Sequence, residues 1–367
     1  MPLGRRLRDQ FDWPLFVTIA AIAVIGIVNL YSASSIAGPL FVDSYIQQIY
    51  WLTLGSAVAV LVVAIDYRQF ERHAWIAYGI GIVLLVLVFL LGREVRGSQR
   101  WIPIGAFSLQ PSELMKIFLI IALAKHLHDD PRTEGRTVKD LLIPGAILAA
   151  PLVLILNQPD LGTALVMVMI FAGIMFLTRL KIRSLVILVL FFVSSAPLTW
   201  EYLLKDYQRD RVLSFLNPER DLLGTGWHAH QAQVAIGSGG FWGKGYLQGT
   251  QNQHRFLPDP RTDFPFAVWA EEQGFIGSVV LLFLFLFVIL WGLKIASDAK
   301  DRFGAVVAVG VSSLVFAHTV LNLGMVCGLL PVVGITLPLV SYGGSSVLTT
   351  LIGIGLLMNV SMRRYHF

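Results

Sequence analysis

Residues 74–92 read AWIAYGIGIVLLVLVFLLG, nineteen positions without a charge. At a helical rise of about 1.5 Å per residue, such a run crosses roughly 30 Å of bilayer hydrocarbon. Comparable apolar runs fall at roughly 15–35, 46–65, 111–127, 141–157, 161–178, 184–203, 268–295, 304–327 and 341–361. A soluble chain does not repeat that pattern, and the strands of an outer-membrane barrel are short and alternating. Composition agrees. Of 367 residues, 56% are hydrophobic and 14% charged, with a mean hydropathy of +0.70, so there is too little charge to coat a soluble globule. The expectation is an all-α polytopic membrane protein with about ten transmembrane helices, organised as one transmembrane domain over residues 1–367.

Charge sets the expected orientation. Seventeen Lys and Arg residues, among them Arg5, Arg68, Lys125, Arg136, Lys181, Lys300 and Arg364, fall on the side that also holds both termini, against ten on the other. The positive-inside rule makes the richer side cytoplasmic. The net charge of +5 therefore reads as membrane topology and not as a nucleic-acid partner. The first run follows Gly4-Arg5-Arg6-Leu7-Arg8 without a small-residue cleavage site, so it is expected to stay as an anchor. A single cysteine, Cys327, excludes an internal disulfide and a cysteine metal site.

Between the seventh and eighth runs lies a long polar segment, residues 204–264, on the extracytoplasmic side. It is rich in glycine (Gly237, Gly239, Gly240, Gly243, Gly245, Gly249) and interleaved with Trp227, Phe241, Trp242, Tyr246 and Phe256. So many aromatics argue against disorder, so a structured loop packed on the membrane face of the bundle is expected. Its Gly-Ser-Gly-Gly lacks the spacing and the Lys-Ser/Thr of a nucleotide loop.

Ionisable groups at membrane depth are candidates for function. Glu113 and Lys116 stand three apart at the start of the fourth run and share a face. They form either a structural ion pair or, with Arg96 and Arg100 of the preceding loop, the cationic setting a phosphate needs at the outer surface. Asp160, in Gln158-Pro159-Asp160-Leu161-Gly162-Thr163, either caps the sixth helix or belongs to a site. Asp263 poses the same choice where the chain re-enters the membrane ahead of Glu271 and Glu272. His318 and Asn322, four apart, are expected to make helix-to-helix hydrogen bonds.

Together these segments resemble the SEDS family of cell-wall polymerases. The resemblance is carried by Trp101-Ile102-Pro103-Ile104-Gly105, Gln110-Pro111-Ser112-Glu113-Leu114-Met115-Lys116, Gln158-Pro159-Asp160-Leu161-Gly162-Thr163, Ala235-Ile236-Gly237-Ser238-Gly239-Gly240, Thr262-Asp263-Phe264 and Pro338-Leu339-Val340-Ser341-Tyr342-Gly343-Gly344-Ser345. They occur in order over nearly the whole chain. Gly249-Thr250-Gln251 stands where the division branch usually has Gly-Asn-Ser, which favours the elongation branch. Arg261 and Pro265 depart from the family's usual histidine and aliphatic residue.

The resemblance implies a peptidoglycan glycosyltransferase that polymerises lipid II into β-1,4 glycan at the outer face of the cytoplasmic (inner) membrane during elongation. It implies residues 204–264 as the catalytic loop, Asp263 as general base, and a class B penicillin-binding protein as transpeptidase partner. Substrate binding would fall to Lys116, Glu113, Asp160, Arg96, Arg100 and Trp101. A divalent cation, Mg or Mn, is the one helper expected, with no organic cofactor. The apolar stretches Leu281–Leu290 and Val306–Leu314 face either lipid or the partner's membrane anchor. Two other classes fit ten spans with embedded charge: a lipid II flippase, whose charges would sit near the midplane, and a scaffold without activity.

Overall fold

The structure is a computed structural model describing residues 11–35, 44–95, 98–105, 107–130, 132, 135–177, 180–198, 200–201, 206–216, 225–257 and 259–363. Helices α1 (Trp13–Ser34) and α2 (Ser44–Ala64) pack together, and a short α3 (Tyr67–Arg72) leads into α4 (Ala74–Leu91). The chain then departs from the all-α expectation. Strands β1 (Arg93–Val95), β2 (Ser98–Ile104) and β3 (Phe107–Leu109) form an antiparallel sheet in that order. Gly105, at φ 61°, supplies the left-handed backbone that lets Ile104 and Phe107 pair across the return.

Helix α5 (Pro111–Asp129) is followed by a 3₁₀ turn (Val138–Leu141), α6 (Leu142–Asn157), α7 (Leu161–Leu177) and α8 (Ile182–Leu198). The segment expected as a loop is largely helical where described: α9 (Asp206–Leu216), α10 (Thr225–Gly239) and α11 (Thr250–Gln253). Three long helices close the chain: α12 (Pro265–Ser297), α13 (Arg302–Val326) and α14 (Gly344–Arg363).

A helix overlies each apolar run, but among the described residues seven segments are long and apolar enough to cross a membrane. The other three fail for visible reasons. Helix α5 carries Glu113, Lys116 and Lys125, while α7 and α8 are seventeen residues each.

Helices α13 and α14 form the centre, with 78% and 89% of their apolar windows buried against 22% for α2, α4 and α12. Small residues let them in. Gly310 of α13 abuts Ile120, and a methyl group on Gly355 of α14 would lie 3.1 Å from the Ala59 carbonyl oxygen. Val60, Leu90 and Phe283 on the outer helices stay exposed, as lipid-facing side chains do. This corrects the expectation for Val306–Leu314. Val307, Val309, Val311 and Leu314 are core residues, so only the Leu281–Leu290 stretch presents an outer face, through Phe283, Leu286 and Leu290.

Helix α12 is broken at Gly274 (φ 66°, ψ −160°), which leaves a half-helix, residues 265–273, at the end of the bundle that carries the sheet and α10.

Candidate active site

Pro111 opens α5, and the first two turns carry Glu113 and Lys116 on one face. Their charges meet at 2.8 Å, and Lys116 is wholly buried. His318 of α13 supplies a second partner, its Nε2 lying 2.8 Å from the Lys116 ammonium. The other ring nitrogen, Nδ1, lies 2.9 Å from the Thr336 carbonyl oxygen. A carbonyl can only accept, so Nδ1 carries the proton and Nε2 accepts from Lys116. The imidazole is thus held neutral between a backbone oxygen and the lysine. Two of the ammonium's three N–H groups are used in this way. Lys116 points into the bundle, not into a cavity open to the outside.

One turn further along α13, the Asn322 amide donates to the backbone oxygens of Asp263 (3.0 Å) and Ile335 (2.6 Å). Of the pair expected to make helix-to-helix hydrogen bonds, His318 does so through Lys116, while Asn322 bonds non-helical backbone instead. The pair ties Lys116, Asp263 and the segment 333–336 to one helix. Asp263 itself closes a tight turn in which its amide donates to the Asp259 carbonyl. Its half-buried carboxylate lies against Gly334, where an added methyl group would sit 3.7 Å from Oδ2. Phe264, not Asp263, stands at the N-cap position of helix α12. Arg261 donates to the Ser44 hydroxyl at 2.9 Å, and its carbonyl accepts from the Tyr342 amide at 2.8 Å. Burial pushes the Tyr342 hydroxyl above its ordinary range.

Asp160 does cap. Its Oδ1 accepts from the Thr163 amide (3.2 Å) and its Oδ2 from the Thr163 hydroxyl (2.9 Å) at the start of α7. It also accepts from the Gln110 amide and lies 3.6 Å from the Arg100 guanidinium. Arg100 donates to the Gln158 and Pro159 carbonyls, which staples the sheet to the α6–α7 corner. Trp101 stands half-buried on β2, with its Cα opposite that of Arg93. Arg96 lies outside the described residues.

Two of the glycines in residues 237–249, Gly239 and Gly243, are required by close backbone contact. A methyl group on Gly239 would lie 2.2 Å from the Ala270 carbonyl oxygen, and one on Gly243 2.1 Å from that of Glu272. Lys244 and Gly245 donate their amides to the Glu271 and Glu272 carbonyls, so the strand of loop lies directly on the half-helix. Sequence reasoning named the two glutamates but missed what they hold. The fully buried Glu271 accepts from Lys244 (2.7 Å), the Thr250 hydroxyl and the Gln251 amide, while Glu272 accepts from the Ser32 hydroxyl. Two adjacent acids this close to Asp263 were the available signal.

Among the described residues, no three His, Cys, Asp or Glu side chains come together to hold a metal ion. The cationic groups of the site are its lysine and arginine.

Comparison with known proteins follows the same lines. The profile of the FtsW, RodA and SpoVE proteins, described as cell cycle proteins, matches residues 12–366. The peptidoglycan glycosyltransferase MrdB of Escherichia coli K12 is 38% identical over 355 residues, covering 97% of this chain and 94% of that protein. The peptidoglycan glycosyltransferase RodA of Treponema pallidum is 34% identical, covering 97% of this chain and 98% of that one. A chain from a peptidoglycan synthase complex that coordinates polymerization and crosslinking superposes with a TM-score of 0.83 at 35% identity, covering 97% of this chain and 99% of its own. The rod shape determining protein RodA of Thermus thermophilus gives 0.71 at 31% identity, covering 97% and 98%.

Proposed function

The chain belongs to the FtsW/RodA/SpoVE family, and from that premise we propose how this multi-pass membrane protein, a peptidoglycan glycosyltransferase, carries out its reaction. The substrate is lipid II, presented at the extracytoplasmic face. An acceptor sugar hydroxyl attacks the anomeric carbon of the donor from the side opposite the pyrophosphate, Asp263 takes the hydroxyl proton, and the polyprenyl pyrophosphate departs with the bonding pair. Attack from the opposite face inverts an α-linked donor to a β-1,4 glycan. A pyrophosphate is already a good leaving group, so one base suffices.

The observation that carries this reading is the pair on α13. Asn322 fixes the backbone of Asp263 while His318, one turn away, fixes Lys116. A base and a cation are thereby referred to the same rigid helix, as catalysis by positioning requires. Glu113 aims the ammonium, whose third N–H is left for the pyrophosphate. Lys116 is closed off from solvent here, so that meeting requires the Thr336 segment to part from His318. Arg100, Asp160 and Trp101 support the rim, and Arg96 is assigned to the same rim from its place in the sequence.

The active face is extracytoplasmic and both termini are cytoplasmic in this reading. The membrane anchor of a class B penicillin-binding protein docks on the outer face of α12, where Phe283 is 64% exposed. The test is purified protein with lipid II in detergent, resolved for glycan ladders. Ladders from the parent and none from Asp263→Asn support the reading, while translocation without polymer would favour a flippase.

A further inference from the structure

A cleft of about 110 Å³ opens between α9, α10 and the segment after α13. Its lining residues fall partly within the 204–264 loop but are none of those given an individual role above. Arg211 and Ser214 reach it from α9, His230 and Gln233 from α10, and Leu330 and Val332 form its apolar wall. The Gln233 amide also reaches the Cys327 carbonyl at 3.4 Å, which fixes α10 against that wall. The wall leads directly to the reaction centre. Two residues beyond Val332 the chain reaches Gly334, against which the Asp263 carboxylate lies.

We propose that this cleft binds the peptide carried by the substrate's sugar, holding a free carboxylate with Arg211 and His230 and small apolar side chains against Leu330 and Val332. The inference rests on the glycosyltransferase reading and extends it to the peptide of peptidoglycan. A guanidinium presents a planar pair of donors that matches a carboxylate, and the neighbouring hydroxyl and amide complete a short polar strip. One polar edge facing one apolar edge suits an extended peptide. Phosphate oxygens share the anionic chemistry, so the test separates the two sources.

Full-length protein is given lipid II with a photoreactive diazirine on the peptide, ending either in a free carboxylate or in a carboxamide. Both retain the pyrophosphate. The carboxylate form should crosslink to residues 206–233 and the carboxamide form much less. In glycan synthesis, the parent should show a KM about tenfold lower for the carboxylate form, the scale of one hydrogen bond to a charged group. Arg211→Ala should level the two substrates, and Arg211→Lys should keep part of the preference, which shows that the fold persists. Crosslinks that map elsewhere, indifference of the parent to amidation, or an equal loss on both substrates in Arg211→Ala would each overturn the proposal. Failure of the parent to make glycan from either substrate would refute the glycosyltransferase reading instead, and the crosslink would still decide the cleft.

Discussion

At the end of the bundle formed by α3, the described residues of 130–141 and the α12–α13 turn, several charges meet near neighbours, although the buried Arg136 guanidinium leaves Nη2 without a hydrogen bond. Lys125 bridges Glu71 and Asp129 at 3.2 and 2.8 Å, Arg136 meets Asp130 at 2.8 Å, and Arg302 donates to the Asp130 carbonyl. Asp301 caps α13 through the Gly304 amide and accepts from the Tyr67 hydroxyl, whose titration burial pushes above its ordinary range. The Thr137 amide and hydroxyl hold Asp140 below the usual carboxylate range. At the opposite end, Lys116 is wholly buried, and two buried carboxylate oxygens, Glu113 Oε2 and Glu271 Oε2, have no hydrogen-bond partner. A buried charge without full pairing is costly, so it persists where a ligand or a reaction uses it. The contrast is between charge that finishes the fold and charge held ready for something else.

The largest effect to look for is sidedness, because the contrast loses its meaning if both ends face one compartment. With Cys327 replaced by Ala, single cysteines at Gly237, where an added methyl group meets nothing within 4 Å, and at exposed Lys300 report on the two ends. An impermeant maleimide should label Gly237→Cys in intact cells and Lys300→Cys only after lysis. The reverse pattern would remove the mechanism altogether.

Next in size is Asp263→Asn. Base catalysis contributes about 10²- to 10⁴-fold, and asparagine keeps the shape and an oxygen able to cap. The variant should fold like the parent and make almost no glycan. Asp301→Asn at the other end is the counterpart. It should lower thermal stability by only a few tenths of a kcal/mol, since asparagine also caps well, and leave turnover per folded molecule unchanged. Equal behaviour of the two variants would erase the distinction between the ends.

Lys116→Met strips the partner from a buried glutamate, and breaking such a pair typically costs about 3 to 5 kcal/mol. The single variant should therefore lose both stability and activity. Lys116→Met with Glu113→Gln should recover the melting temperature and stay inactive. Recovery of glycan synthesis in the double variant would make the pair structural. Lys125→Met, in a partly exposed pair, should move stability by less than about 1 kcal/mol.

How much of this was legible beforehand depends on what each residue touches. Helices declare themselves through uninterrupted apolar runs, and Glu113 with Lys116 through their spacing, because both are properties of a single segment. The sheet at residues 93–109 was not anticipated, since its short strands carry no alternating apolar face. Val306–Leu314 and Leu281–Leu290 look alike in sequence, yet one is core and the other half exposed. A helix that is apolar all round does not announce whether protein or lipid surrounds it. The glycines at 237–249 were read as part of a structured loop without a reason for each, and for Gly239 and Gly243 that reason is a half-helix carbonyl in the space a side chain would need. Only the tertiary approach reveals that.

Those glycines give a prediction of intermediate size. Gly243, at φ 83°, sits with a carbonyl oxygen 2.1 Å from where a methyl group would go, so Gly243→Ala must lift the loop from the half-helix that follows Asp263. A loss of several-fold in turnover with raised protease sensitivity around residues 240–255 is expected. Gly237→Ala, in open space, should change neither.

The smallest effect concerns Asp160, where the sequence left cap and substrate contact open. The structure gives it the cap, with both oxygens occupied by Thr163 and a 3.6 Å ion pair to Arg100. Asparagine also caps well, so Asp160→Asn should cost a few tenths of a kcal/mol, while Asp160→Ala should cost about 1 kcal/mol. If Asp160 serves the fold alone, turnover per folded molecule stays near the parent value in both, and the melting temperatures order as parent, Asn, Ala. If it also meets substrate through its charge, Asn loses turnover as fully as Ala while keeping its stability. Melting curves and glycan yields from the same three preparations therefore decide whether Asp160 belongs with the charges that finish the fold or with Asp263 and Lys116.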